Sequence, residues 1–234
     1  RNFKIKSLHR KINYKKGRNK MKSKFLLFTA ITTFMMVSIS CDKAKKNIPE
    51  NMIGDINIFD KDSYVINSVD SKIMWKGKEL STKEHFGTMD ISNGNISINK
   101  NGDINGIIDI NMETIDTKDL EGQWKEKLNG HLKSPDFFDV LKYPIAILKF
   151  KGNKNSTIDG MYKFKGDLTI KGITHPISFL SKIKNENKIL IAQSKIAFDR
   201  SLYNVRYGSG KFFDNLGDKL IFDEIKVEVL LETK

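Results

Sequence analysis

The chain of 234 residues contains one cysteine and four prolines, and each scarcity excludes a class of structure. A single cysteine cannot form an internal disulfide, which excludes the small disulfide-stapled folds. Without a glycine repeat or a proline-rich segment, collagen-like and low-complexity chains are also excluded. Because 39% of the residues are hydrophobic and 10% are aromatic, the chain can build a core of its own.

Acidic residues are absent from the first forty positions, and this absence explains the net charge of +13. Of the 41 lysines and arginines, 11 lie in residues 1–40, which leaves 30 basic against 28 acidic residues in residues 41–234. The remainder carries a net charge of only +2. A nucleic-acid-binding domain needs clustered positive charge within its folded part, so the charge distribution argues against that function.

The sequence also lacks a hydrophobic run long enough to span a membrane comfortably. Phe25–Ser40 is free of charge for 16 residues, about 24 Å as a helix against the ~30 Å hydrocarbon core of a bilayer. With the basic start at Met21, this length predicts a signal peptide over residues 21–40, and a short membrane anchor is the alternative. Residues 1–20 are interpreted as translated sequence upstream of the true start, or as an extended basic region of the signal.

The segment Val37-Ser38-Ile39-Ser40-Cys41 resembles the lipobox of bacterial lipoproteins, with Ser38 where leucine is usual. The resemblance implies acylation of Cys41, which would hold an exported, periplasmic or cell-envelope protein on the membrane because several acyl chains together bind a bilayer tightly. An ordinary signal peptide followed by an unrelated cysteine is the alternative. Residues 41–62 are polar and lack a sustained period, so they are predicted to form a tether.

The remaining sequence, residues 63–234, alternates between apolar and polar residues with a period of two. Ile104, Ile108 and Met112 share one face of a predicted strand while Asn105, Asp109 and Glu113 share the other. Further strands with short polar turns are predicted over the following segments: 68–76, 84–92, 95–99, 145–151, 162–170, 177–184, 189–198 and 221–231. Asn93-Gly94 and Asn101-Gly102-Asp103 are predicted turns. About eight antiparallel strands predict an all-β fold that closes into a single barrel, with a sandwich as the alternative.

One segment departs from this pattern. Leu120, Trp124 and Leu128 are spaced by four residues, which predicts a short amphipathic helix over Thr117–Leu132, inserted between strands and packed on the sheet.

The sequence does not show a catalytic or metal-binding motif. His85, His131 and His175 are separated by more than forty residues, and none lies in a metal-binding spacing. Gly208-Ser209-Gly210-Lys211 resembles the end of a P-loop, but Val205 stands where the first glycine is needed, so a flexible turn is predicted. We therefore expect a protein that is not an enzyme and that has neither a metal nor a cofactor.

Several motifs together resemble the YceI-like family over about residues 63–232. The sequence carries them in the order of the family: Ser71-Lys72-Ile73-Met74-Trp75-Lys76-Gly77, His85-Phe86-Gly87, His131-Leu132-Lys133-Ser134-Pro135-Asp136-Phe137-Phe138-Asp139-Val140, Gly166-Asp167-Leu168-Thr169-Ile170-Lys171-Gly172-Ile173-Thr174-His175-Pro176 and Phe198-Asp199-Arg200. The resemblance implies a lipocalin-like antiparallel barrel whose apolar cavity holds a polyisoprenoid or a similar amphiphilic chain. A barrel of about eight strands has room for side chains or for one small ligand, which agrees with that expectation.

The cavity-lining residues are predicted from the alternation and from the motifs. The predicted set is Trp75, Phe86, Ile108, Ile110, Met112, Phe137, Phe138, Tyr162, Phe164 and Leu168. The ligand would be transported, stored or sensed at the membrane that carries Cys41. Two alternatives remain: a protein-interaction or stress-protective module whose barrel is filled by its own side chains, and a metal-dependent hydrolase.

Overall fold

The computed structural model describes residues 58–81 and 83–234, which form an antiparallel β-barrel with one short α-helix. The strands are β1 Ser63–Val65, β2 Lys72–Lys78, β3 Glu84–Ile98, β4 Asp103–Thr117, β5 Ile145–Ile158, β6 Met161–Ile170, β7 Ile173–Glu186, β8 Ile189–Asp199 and β9 Glu224–Glu232. The helix α1 is Gly122–Lys133, and two single-turn 3₁₀ helices are Arg200–Tyr203 and Gly217–Lys219. The prediction of an all-β barrel with an inserted helix is confirmed.

The barrel closes because β3 pairs on both of its sides. The strands follow the order β1-β3-β2-β9-β8-β7-β6-β5-β4, and an additional pairing between β3 and β4 joins the ends into a barrel of eight strands. The remaining strand, β1, pairs with the end of β3 and is followed by a bridge between Ile66 and Thr233. Closure pairs most of the described strands on both sides, but β7 and β8 pair only from Ser181–Ser194 to Glu186–Ile189, so Ile173–Leu180 of β7 have no strand partner on that side among the described residues.

The alternation in β4 shows why these residues form a barrel wall. Ile104, Ile108 and Met112 are buried on the inner face, whereas Asn105 and Glu113 are exposed. The register changes beyond this point: Asp90 pairs with Asn111, but Thr88, two residues earlier in β3, pairs with Asp116. This irregularity in β4 moves the inward face from even-numbered to odd-numbered residues, so that Ile115 and Thr117 are buried.

The turn predicted at Asn93-Gly94 is wrong. The two strands predicted over residues 84–92 and 95–99 are one continuous strand, β3, in which Gly94 pairs with Ile108. Glycine is needed here because a Cβ atom would lie 2.7 Å from Cγ1 of Ile66. The predicted turn at Asn101-Gly102-Asp103 is confirmed, with Gly102 at φ +82° between β3 and β4.

The helix begins later than predicted, at Gly122 rather than Thr117. Thr117 ends β4 and pairs with Gly87, and the amide of Lys118 donates to the carbonyl of Phe86 at 2.9 Å. These sheet hydrogen bonds extend the strand into a segment whose spacing is helical. Leu132 faces the barrel, but Trp124 is 69% exposed, so the predicted apolar stripe is only partly buried.

Asp116 ties α1 to the end of β4. Its carboxylate accepts hydrogen bonds from Lys118 at 2.6 Å, from Lys125 at 3.0 Å and from Nδ2 of Asn129 at 3.0 Å. The ammonium groups of Lys118 and Lys125 hold the pKa of Asp116 well below its usual range.

Aromatic side chains close the end of the barrel opposite α1. The rings of Phe150, Phe164 and Phe179 lie 5.2–5.7 Å apart, and Phe59 makes an edge contact with Tyr162 at 5.6 Å. Phe59 is 6% exposed, although it falls within the segment predicted as a tether. The predicted signal peptide and Cys41 lie outside the described residues. Within the described part of the chain, no helix is both long enough and apolar enough to cross a membrane.

Candidate functional site: an apolar cavity inside the barrel

A cavity of about 290 Å³ lies inside the half of the barrel that α1 covers. A second cavity of about 40 Å³ lies towards the aromatic end. The side chains between them line both, and they come from four different strands: Ile108, Leu148, Ile196 and Val229. The larger cavity is close to the lower end of the range for small-molecule sites.

Strand residues supply most of the lining. Ile73 and Trp75 of β2 face into the cavity at alternate positions, as do Val227 and Val229 of β9. Gly77 is the next inward position of β2 and lies nearer to the end of the barrel that α1 covers. The lining is apolar at depth because the inner positions of these strands are aliphatic or aromatic, a composition that suits a hydrocarbon chain.

The segment after α1 forms the cap of the cavity. Phe137 and Phe138 line it, with their rings 5.1 Å apart in an edge contact, and Phe137 is 5% exposed. The turn that carries them is held by backbone hydrogen bonds, among them Phe138 to the carbonyl of Leu132 at 3.1 Å. Nζ of Lys171 donates to the carbonyl of Phe137 at 2.8 Å. Both rings thus lie at the cavity.

A fully buried arginine organises the loops around the cap. Arg200 is 0% exposed and donates to the backbone carbonyls of Val205 at 3.2 Å and Tyr207 at 2.8 Å. It also donates to the carbonyls of Ile221 and Phe222, lies 3.3 Å from Oδ1 of Asp223 and packs against the ring of Phe137 at 5.3 Å. Burial lowers the pKa of the guanidinium, and the carboxylates of Asp223 and Asp199 oppose that effect. The side chain is therefore engaged in holding the loops.

Polar groups collect at the mouth of the cavity. Nδ1 of His85 lies 2.7 Å from Oδ2 of Asp119, whose other oxygen accepts from the amide of Phe86 at 2.9 Å. The ring of His131 makes an edge contact with Tyr207 at 4.3 Å. Lys78 and Glu79 complete this rim. The site thus combines an apolar interior with a polar opening, which is the arrangement that an amphiphile requires.

Most of the predicted cavity residues lie at the two cavities. The larger one is lined by Trp75, Ile108, Ile110, Met112, Phe137, Phe138 and Leu168, and the smaller one by Ile108 and Phe164. Their position is known from the structure, whereas their role in binding a ligand stays a prediction.

Two of the predicted residues lie elsewhere. Phe86 is 42% exposed, because the inward positions at the start of β3 are His85, Gly87 and Met89, and a shift by one residue turns a side chain to the other face. Tyr162 is half-buried beside Phe59 at the aromatic end, beyond the residues that line the cavities.

Other lining residues were missed by the sequence reasoning. His85 and Tyr207 belong to the mouth, and Ile73, Met89 and Ile196 belong to the wall. The alternation of apolar and polar residues along β9 could have identified Val227 and Val229 as lining residues. The position of Tyr207 in an irregular loop had no such signal.

The described residues do not bring together three or more His, Cys, Asp or Glu side chains that could hold a metal ion. His85 and His175 make structural contacts instead, the latter with the carbonyl of Leu202 at 3.0 Å. Ser209, predicted to lie in a flexible turn, is fully buried and donates to Oδ2 of Asp223 at 3.0 Å.

Comparison with known proteins adds a family and two related folds. The sequence model of the family described as the YceI-like domain matches residues 64–233. A UPF0312 protein of Pseudomonas putida is 32% identical over 115 residues, which is 49% of this chain and 57% of that protein. A UPF0312 protein of Photorhabdus laumondii is 32% identical over 81 residues, which is 35% of this chain and 38% of that protein. The chain therefore spans 57% of the length of the first of these curated relatives and 38% of the second.

Two solved structures share the fold. BcnA of Burkholderia cenocepacia aligns with a TM-score of 0.57 at 18% identity and covers 72% of this chain and 99% of its own. A polyisoprenoid binding domain from Saccharophagus degradans, implicated in plant cell wall breakdown, aligns with a TM-score of 0.52 at 12% identity and covers 73% of this chain and 97% of its own.

Proposed function

Because the chain belongs to the YceI-like domain family, we propose that it binds a polyisoprenoid or a similar amphiphilic lipid chain inside the barrel. The observation that carries the proposal is the cavity of about 290 Å³ with its apolar wall and polar mouth. The shared fold with a polyisoprenoid binding domain supports the same class of ligand. The protein acts by binding rather than by catalysis.

The apolar wall supplies the driving force for binding. Removing apolar surface from water contributes ~25 cal/mol per Å², so a chain that buries about 400 Å² gains roughly 10 kcal/mol before the costs of association and ordering. The space in the barrel supports this function over that of an interaction module whose interior is filled by its own side chains.

Extraction of the purified protein with organic solvent, followed by mass spectrometry, tests the proposal. We expect about one lipid molecule per protein. Ala146 lines the larger cavity and Ala192 the smaller one, so the same enlargement can be made in each. Ala146→Phe fills the larger cavity and should lose most of the lipid, whereas Ala192→Phe is the matched control and should keep it. A wild-type protein that carries no lipid and binds no added farnesol would contradict the proposal.

We also propose that the protein is exported and anchored to a membrane through acylated Cys41, where it carries, stores or senses its ligand. The lipobox-like segment before Cys41 supports this. Nδ2 of Asn185 donates to the carbonyl of Ile58 at 2.8 Å, so the first described residues lie at the aromatic end of the barrel. Cys41→Ala should move the protein from the membrane fraction to the soluble fraction. Unchanged membrane association of that variant would refute the anchor.

A further inference from the structure

The aromatic side chains that are exposed to solvent lie at one end of the barrel. Among the described residues, six aromatic side chains are exposed, and all lie at the end that α1 covers: Phe86, Trp124, Tyr207, Phe212, Phe213 and Phe222. At the opposite end, the exposed large apolar side chains are aliphatic: Val65, Val69, Ile158 and Ile189. Exposed apolar surface that is concentrated in this way marks a contact with a membrane or a partner.

This aromatic surface is continuous with the mouth of the larger cavity. Tyr207 lines the mouth and is 48% exposed, and Ile221 lines it beside Phe222. The amide of Ile221 donates to the carbonyl of Gly208 at 2.7 Å, and the amide of Phe222 donates to the carbonyl of Lys78 at 2.9 Å. The loop after Tyr207 and the segment around Phe222 therefore surround the opening together.

The loop that carries Phe212 and Phe213 is tied to a buried serine. Ser209 is 0% exposed, and its hydroxyl donates to Oδ2 of Asp223 at 3.0 Å. Its carbonyl accepts hydrogen bonds from the amides of Phe212 and Phe213, both at 3.1 Å, and the guanidinium of Arg206 lies 4.5 Å from the ring centre of Phe212. The two rings are thus exposed although their loop is held on the molecule. Four side chains form the surface named the aromatic rim: Tyr207, Phe212, Phe213 and Phe222.

Charges of both signs lie among these rings. Five charged side chains of the loop are exposed: Arg206, Lys211, Lys219, Asp214 and Asp218. Because the charges nearly balance, the aromatic rim does not favour a polyanion. Aromatic rings with charged and polar neighbours are stable in the interfacial region of a lipid bilayer, where the ring is partly buried and the polar groups stay hydrated.

The proposed ligand gives the reason for such a contact. A hydrocarbon chain that leaves a bilayer through water exposes its apolar surface, at a cost of ~25 cal/mol per Å². A mouth that rests on the bilayer lets the chain enter the cavity without that exposure. A protein partner or a second copy of this chain would cover the aromatic rim but would also close the mouth.

We infer that the aromatic rim docks onto the surface of a phospholipid bilayer and turns the mouth of the cavity towards it, so that the ligand passes directly between bilayer and barrel. The inference rests on the proposed function and adds the surface through which the cavity is loaded. Because aromatic rings make the contact, it requires neither an anionic lipid nor low salt.

A fluorophore attached to the aromatic rim tests the contact directly. The chain contains one cysteine, so Phe213→Cys in the Cys41→Ala protein provides a single site for an environment-sensitive label. Ile158→Cys in the same protein is the matched control, because Ile158 is 46% exposed at the opposite end and Phe213 is 49% exposed. With phosphatidylcholine vesicles, the label at residue 213 should brighten and be quenched by lipids that carry a nitroxide in the acyl chain. The label at residue 158 should do neither, and the result should be the same at about 0.1 M and about 1 M salt.

The rate of loading provides the second test. Radiolabelled farnesol should move from phosphatidylcholine vesicles to the wild-type protein at a rate that rises with vesicle concentration, as transfer by contact requires. Phe212→Ser combined with Phe213→Ser should slow this transfer about tenfold, because the rings no longer hold the mouth on the bilayer. The affinity for farnesol should stay the same, because neither ring lines the cavity. Ile158→Ser combined with Ile189→Ser is the matched control and should leave the rate unchanged.

The outcomes separate the inference from the proposed function. If the label at residue 213 stays in water, or the rate of transfer is independent of both vesicle concentration and the two phenylalanines, the inference is wrong, while farnesol binding would leave the lipid-binding function standing. Burial of that label without vesicles, as the protein concentration rises, would show an interface between copies of the chain and would also overturn it.

Attachment through a different face would be equally decisive. Lys151 and Lys165 lie opposite each other on the outer wall, in β5 and β6. Binding that needs phosphatidylglycerol and is lost at high salt would indicate that basic wall rather than the aromatic rim, and the inference would be wrong. A protein that docks through residue 213 but binds no farnesol would keep the docking surface and refute the proposed function.

Discussion

Replacement of Arg200 by methionine tests whether this buried side chain holds the loops around the cap together. Methionine keeps most of the side-chain length but removes the guanidinium, which donates to four backbone carbonyls and faces Asp223 at 3.3 Å. The carboxylate and the carbonyls would then lie in a largely buried region without these donors. Removal of one partner from a buried ion pair typically costs about 3–5 kcal/mol.

The expected magnitude can be measured by urea unfolding at neutral pH, followed by circular dichroism and extrapolated linearly to water. A loss of about 3–5 kcal/mol corresponds to a fall in Tm of about 6–20 °C for a domain of this size. Arg200→Lys should lie between methionine and wild type, because one ammonium group keeps the charge but cannot reach all the carbonyls at once.

An exposed ion pair provides the control for this measurement. Lys195 lies 3.2 Å from Glu228, with 84% and 57% of the two side chains exposed. Lys195→Met should therefore change the free energy of unfolding by less than about 1 kcal/mol. If Arg200→Met were as mild as Lys195→Met, the role assigned to Arg200 would be wrong.

Three further changes test the packing and the electrostatics of the barrel. Gly106→Ala should destabilise the protein by about 1–3 kcal/mol in the same urea assay, because the new Cβ would lie 2.1 Å from Cζ of Phe150, and a wild-type-like midpoint would contradict this. Gly130 lies within α1 with open space around it, so Gly130→Ala should stabilise the protein by about 0.5–1 kcal/mol through helix propensity. A loss of stability would contradict the placement of residue 130 on an open face of the helix. The pKa of Asp116 is lowered in the folded protein by its lysine partners, so its contribution is present above about pH 4 and is lost as the pH falls further. Asp116→Asn should therefore reduce the steepness of acid destabilisation below about pH 4 at a cost of less than about 1 kcal/mol at neutral pH, and an unchanged acid limb would refute the assignment.

The wall of the barrel was largely predictable because apolar and polar residues alternate along each strand according to whether the side chain faces the interior or the solvent. In β4, Ile108 and Met112 alternate with polar residues, and the period of two alone indicates which side chains face inwards. Phe86, by contrast, was predicted from its place in the family motifs, and a short motif does not show which of the two faces of a strand is the inner one. That choice is made by the pairing of β3 with β2, where Trp75 lies opposite Gly87.

The helix boundary shows a second limit of local reasoning. The spacing from Leu120 to Leu128 is helical, yet Thr117 is held in β4 by its partner Gly87, thirty residues away in the sequence. A hydrogen bond between distant segments outweighs a local preference, because the sheet satisfies backbone groups that would otherwise lie buried and unpaired.

The sequence by itself determined an all-β chain with one helical insertion, and the motifs pointed to its family. It also showed that the basic excess belongs to residues 1–40. Only the tertiary structure decided how much space remains inside the barrel, that Arg200 is buried among carbonyls and that the exposed aromatic side chains of the described residues lie at one end of the barrel. The physical reason is that alternation is a property of one strand, whereas a cavity and its surroundings depend on the registers of all eight strands together.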